Sequence, residues 1–110
     1  MMLLQIYFAI EADKTDDFET MYAQVYAPAL RVQQGYMRSD LLRLFPPAIT
    51  AEIKAAPTEY NYQMELVFDT EANRRLWAAS PEHVTAWDAA SGMASQVAWR
   101  AYDVVGEDQM

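Results

Sequence analysis

Three observations predict an α+β domain whose elements run in the order β-α-β-β-α-β. Four short runs, at residues 3–10, 36–45, 60–68 and 97–105, are rich in aromatic and branched apolar residues and read as strands. Two stretches between them, 15–34 and 70–94, carry apolar residues at three- and four-residue steps, the spacing of a helix face. Helix and strand breakers fall at the joins: Gly35, Pro46-Pro47 and Asp69-Thr70. Two helical crossovers on a four-stranded antiparallel sheet give the ferredoxin-like arrangement as the simplest right-handed solution.

Each element has its own warrant. In residues 3–10 one phase, Leu4, Ile6, Phe8 and Ile10, is wholly apolar, whereas the other includes Gln5 and Tyr7. Thr15 is placed to cap the first helix, with carboxylates in the turn that follows. Phe18, Met21, Tyr22, Val25, Tyr26, Ala29 and Leu30 form its apolar stripe. Pro28 lies inside that helix, so a kink or local widening is expected over residues 24–27. Gly35 suits the C-cap. The second strand, 36–45, ends at Pro46-Pro47. A Pro/Ala-rich connection, 46–59, follows, with a helical turn predicted over 50–55. The third strand, 60–68, alternates Tyr60, Tyr62, Met64, Leu66 and Phe68 with polar residues. Asp69 and Thr70 offer caps for a helix with Leu76 and Trp77 inward. Ser80 then caps a new segment that starts at Pro81 and runs inward through Val84 and Trp87 to Met93 or Ala94. Residues 97–105 form the last strand and 106–110 a polar tail.

Composition narrows the function. At 110 residues the chain fits one domain, 1–110. Its 53% hydrophobic content is high for that size, and strands apolar on both phases call for cover on the second sheet face; a homodimer would supply it. A net charge of −8 without a basic cluster opposes binding to nucleic acid or to an anionic membrane. The absence of cysteine removes disulfides and thiolate chemistry, and a single histidine cannot build a His-rich metal site, so no metal and no cofactor are expected. Residues 1–10 lack the features of a signal peptide and are too short to span a bilayer, which reads as a cytoplasmic protein.

Phe18-Glu19 opening the first helix, the Gly35-Tyr36 break, and Glu65 through Glu71 leading into Trp77-Ala78-Ala79-Ser80-Pro81-Glu82-His83 resemble the dimeric α+β barrel superfamily. The likeness is closest to its antibiotic-biosynthesis-monooxygenase-like branch. It spans nearly the whole chain and implies a homodimer with a pocket between the sheet and helices of each subunit. Cofactor-independent oxygenases of aromatic polyketides and haem-degrading enzymes both belong to that superfamily. The haem degraders carry a Trp on the second helix and an axial His ten residues later. Trp77 matches the first position, but Trp87 occupies the second, and an indole cannot ligate iron. Tyr26-Ala27-Pro28-Ala29-Leu30 is similar to the EthD-like branch, which usually carries His where Tyr26 stands.

Candidate site residues follow from chemistry. His83 is the only side chain that titrates near neutrality unperturbed, and it reads either as a general base or as a first-turn helix residue beside the Ser80 cap. Trp77 and Trp87 read as an aromatic wall or as core; on one unbroken helix they would lie about 80° apart. Tyr7 and Tyr26 are candidate proton donors, and Tyr22, Gln5 and Asn61 candidate substrate contacts, although tyrosines are also ordinary strand and interface residues. Arg38, Arg43, Glu65, Arg100 and Asp103 are expected to pair across neighbouring strands or at the dimer edge, the alternative being a carboxylate such as Glu65 buried in the barrel as a base with a raised pKa. The function that follows is a cofactor-independent monooxygenase-like protein acting on a small hydrophobic or aromatic, polyketide- or quinol-like substrate. The alternative is a non-catalytic binding or interaction module on the same fold.

Overall fold

Alternation along the first strand decides how the molecule is layered. In the computed structural model, which describes residues 1–110, β1 (Met2–Ile10) leaves Met2, Ile6, Phe8 and Ile10 at most 5% exposed. Leu3, Gln5, Tyr7 and Ala9, on the opposite phase, stay half-buried. The strands β2 (Tyr36–Arg43), β3 (Tyr62–Phe68) and β4 (Ala94–Asp103) complete one antiparallel sheet in the order β2-β3-β1-β4. Register places Ile6 opposite Met64 and Phe8 opposite Tyr62, so the apolar phases of the two central strands make one continuous inner face. The fold is ferredoxin-like α+β.

The helices cover that inner face. Helix α1 (Thr15–Met21), a π-helical stretch (Tyr22–Tyr26) and α2 (Ala27–Arg31) form the first crossover. The widening falls where Pro28 predicts it. Proline has no N–H to give and its ring crowds the preceding turn; the Ala27 N–H reaches back to the Tyr22 carbonyl, a π-type bond. The stripe docks Phe18 onto Phe8 and Tyr62, with ring centroids 5.0 and 5.1 Å away. Each such fully buried aromatic contributes about 1.5–3 kcal/mol. A short α3 (Pro47–Glu52) sits in the 46–59 connection, and α4 (Glu71–Ala78) and α5 (Pro81–Ser91) form the second crossover.

Several local expectations change. Thr15 is already helical and donates its hydroxyl to the Ala12 carbonyl, because residues 12–14 form a 3-10 turn that opens the helix in its place. The first crossover ends at Arg31, short of Gln34, and Gly35 serves a turn beyond it. At φ +78° a Cβ on Gly35 would lie 2.2 Å from the Asp69 carboxyl, so only glycine permits the approach that lets its carbonyl accept the Asp69 N–H. The helix in the connection begins at Pro47, where proline suits the first helical position, and not at Thr50. Strand β2 stops at Arg43 and β3 begins at Tyr62, whereas β4 starts early, at Ala94. Leu76 and Val84 are 55% and 57% exposed instead of inward; Trp77, Ala86 and Ala90 take the inner positions.

The outer face is built differently. Its centre is a polar row in which Glu65 accepts from Gln5 (3.0 Å) and Gln63 (2.9 Å), while Tyr7 donates to Gln5. The expected cross-strand ion pairs are mostly replaced: Arg38 pairs with Asp40 on its own strand, and Arg43 with Glu19 of α1. No helix covers this face.

Candidate functional site

The site forms where the second crossover breaks. Thr70 caps α4 by accepting the Asn73 N–H, and the helix ends after Ala78. Ser80 then bridges two helices: its hydroxyl donates to the Trp77 carbonyl (2.7 Å) and accepts the His83 N–H (3.1 Å). Pro81 needs no donor at the first helical position, so α5 restarts on a new axis. One straight helix would have separated Trp77 from Trp87 by rotation; the restart brings both to one place. The His83 ring stands edge-on to Trp77 at 5.0 Å and lies parallel to Trp87, 4° between planes, at 6.3 Å. Trp99 of β4 closes the row, perpendicular to Trp87 at 5.8 Å.

These rings wall a cavity of about 230 Å³ between the sheet and the helices. Leu4 and Ile6 of β1 form its floor, and all three tryptophans of the chain line it. Three polar side chains join them: His83, Tyr26 and Arg74. The cavity lies below the range of about 300–1,000 Å³ that drug-sized ligands occupy, which sets its scale at a small ring system.

Electrostatics separate the three polar groups. Burial holds His83 below the ordinary imidazole value; the nearby Arg74 guanidinium adds to that and Asp88 opposes it, so the ring is neutral at pH 7. The Ser80 bond engages the His83 backbone alone, which leaves the imidazole nitrogens without protein partners. Tyr26 is fully buried, and its hydroxyl is the one buried side-chain polar atom without a partner. Burial pushes that phenol well above its usual range, so it stays protonated and acts as a donor. Arg74 is held by Glu71 through Nε and Nη2, and Glu71 also engages Arg75. Arg74 and the exposed Arg75 share the one Glu71 carboxylate, while Asp88 of α5 acts on His83 with the opposite sign.

Four candidate residues are not brought there. Strand alternation puts Gln5 and Tyr7 on the outer face, in the polar row with Glu65. Tyr22 points along the helix toward β2, where its hydroxyl meets Ser39, itself also bonded by Tyr36. Asn61 clamps the end of β1, its amide exchanging two 2.8 Å bonds with the Ile10 backbone. His83, Tyr26, Trp77 and Trp87 do converge. Arg74 and Trp99 were missed by sequence reading. For Trp99 a signal existed: it shares the strand phase that faces the helices, opposite Ile6. Arg74 sits on a helix surface and has no such signature.

Larger grooves, of about 540 and 820 Å³, run along the end of β2 and the 46–59 connection. Their buried polar group, the Tyr62 phenol, is already satisfied by Glu19; burial first, and then Glu19, push it up to about 12. No set of three metal-ligating side chains occurs in the chain, and no helix is long and apolar enough to cross a membrane.

The fold is the ferredoxin-like α+β fold also built by an antibiotic biosynthesis monooxygenase and an EthD family protein. Solved structures bear this out. HapK from Hahella chejuensis superposes with a TM-score of 0.76 at 18% identity, over 100% of this chain and 98% of its own. A point mutant of SnoaB, a cofactor-independent oxygenase from Streptomyces nogalater, gives 0.70 at 16%, over 96% and 93%. A point mutant of MhuD, with two manganese protoporphyrin IX bound per active site, gives 0.72 at 16%, over 100% of both chains. An EthD family protein from Bacillus halodurans and a dimeric ferredoxin-like protein from Thermobifida fusca share the architecture. No family model and no curated protein matches the sequence. At such identities the shared property is the fold. The residues present do not fit a porphyrin: the cavity is too small for four pyrrole rings, and its one imidazole lies flat along Trp87.

Proposed function

We propose that this chain is a cytoplasmic, homodimeric, cofactor-independent monooxygenase-like enzyme acting on a small hydrophobic or aromatic substrate held among Trp77, Trp87 and Trp99. The observation that carries this reading is the pairing of a neutral, unengaged imidazole with an unpartnered buried phenol on one aromatic cavity. Chemically the two are complementary. A neutral His83 takes a proton from the acidic CH2 of a one- or two-ring quinol-like substrate in its keto form, and Tyr26 donates to the oxyanion that develops. The resulting carbanion reduces O2; the peroxide loses water, so a CH2 group and O2 become C=O and H2O.

Oxygen consumption by purified protein, without added metal, tests this on a panel of one- and two-ring quinols. Uptake that falls at least tenfold in His83→Ala is the expected result. No uptake across the panel, or undiminished uptake in the variant, sinks it. One observation favours a second reading, a non-catalytic binding module: no carboxylate bonds the His83 ring to orient it as a base. Ligand binding without turnover would support that module.

The homodimer is proposed to close over the outer face, where Leu42 and Phe45 at the β2 end are 43% and 58% exposed. Light scattering at micromolar concentration should give twice the chain mass; a monomer overturns this part.

A further inference from the structure

We propose that the ligand of this cavity is a planar aromatic acid of one or two rings, recognised as an anion. The inference deepens the reading above by naming the ligand class, and it rests on the same cavity. Size sets the first limit, since about 230 Å³ admits a single or fused pair of rings and little more. Shape sets the second: parallel and perpendicular indole and imidazole planes offer faces and edges for a flat guest.

Charge sets the third. In a chain of net charge −8, the cavity wall carries a guanidinium. Glu71 occupies Nε and Nη2 of Arg74, but Nη1 makes no hydrogen bond within the chain. Arg75 shares the same carboxylate, so Glu71 does not cancel both cations. Burial orders the polar groups. The Tyr26 hydroxyl is at the dry end and fully buried, whereas the Arg74 side chain is 23% exposed and at the wetter end. A carboxylate satisfies Nη1 with a charge-assisted bond, and a ring oxygen deeper in the guest accepts from Tyr26, which otherwise has no partner. A neutral guest of the same shape leaves the guanidinium unserved.

Since every tryptophan lines the cavity, intrinsic fluorescence reports occupancy directly. Full-length protein is titrated with 6-hydroxy-2-naphthoate, its methyl ester and the corresponding aminomethyl naphthol. The acid is expected to quench with at least tenfold lower Kd than the ester, and the amine to bind weakest. Arg74→Gln should bring acid and ester within about twofold, and Arg74→Lys should restore part of the preference. Circular dichroism melts confirm that both variants fold. Equal affinity for acid and ester, an acid preference surviving in Arg74→Gln, no quenching by any of the three, or tighter binding of a three-ring acid would each overturn the proposal. Failure here is distinct from failure of the oxygenase reading. Acid-selective binding without oxygen uptake sinks only the oxygenase, and oxygen uptake on neutral quinols without acid selectivity sinks only the present inference.

Discussion

The two faces of the sheet use the same strands to opposite ends. On the inner face Ile6, Phe8, Met64 and Leu66 are all at most 4% exposed, under aromatic side chains from the helices. On the outer face the neighbouring residues Gln5, Tyr7, Gln63 and Glu65 stay half-buried and satisfy one another by hydrogen bonds. One face excludes water at its centre and so holds the Tyr26 hydroxyl unpaired, with the half-buried His83 at its margin. The other keeps its polar groups engaged. A dry layer costs more to damage than a wet one, and only the dry layer concentrates reactive groups.

Adjacent residues make the sharpest test of that contrast. Phe8→Ala removes a ring that touches Phe18 and Trp87 at zero exposure, and should cost about 3–5 kcal/mol in urea unfolding. Tyr7→Ala, one residue away, loses a half-buried ring and its bond to Gln5, worth about 1 kcal/mol. Comparable losses would mean that the outer face is as dry as the inner. If that loss also grows with protein concentration, a second copy covers Tyr7.

Much of this layering was legible in the sequence, because strand phase is a local property: the alternation in residues 3–10 and 60–68 is enough to name the inner face. The π-helical widening was legible for a similar reason, since Pro28 acts on its own turn. What was not legible depends on how elements meet. Leu76 and Val84 fit an inward helix face on periodicity alone, yet Leu76 lies about 100° round α4 from the buried Trp77, and on the restarted α5 Ala86 and Ala90 face inward while Val84 does not. Tyr22 and Tyr26 are alike as letters on one stripe. Only packing shows that Ser39 engages the first and nothing engages the second. Arg74 was hidden because its neighbours, Glu71 and Arg75, make it look like an ordinary solvated helix charge.

A smaller effect is expected where the two helices join. Ser80→Ala removes both the cap for His83 N–H and the tie to the Trp77 carbonyl, and should lower stability by about 1 kcal/mol. Its diagnostic signature is spectral. Trp77, Trp87 and Trp99 share the wall that this bridge positions, so tryptophan emission should change while far-ultraviolet dichroism does not. An outer-face substitution such as Gln63→Ala should leave emission unaltered. If emission in Ser80→Ala is also unaltered, the bridge does not set the alignment of the rings.

The smallest effect is a pH dependence, and its sign follows from the inner face being dry. Burial, aided by Arg74 and opposed by Asp88, depresses the His83 value in the folded chain relative to the unfolded one. Between the two values the unfolded chain binds the extra proton, so stability rises with pH there. The contribution is intact above the unfolded imidazole value, about 6.5, and is lost as pH falls toward the folded value. His83→Gln removes the titrating group, so its unfolding midpoint should fall less than wild type's on going from about pH 7.5 to pH 5.5, above the range where carboxylates protonate. A wild type that becomes more stable over that interval, relative to the variant, would mean that His83 is stabilised as the cation. It would then face an acidic partner, and a neutral base on the tryptophan wall would no longer be tenable.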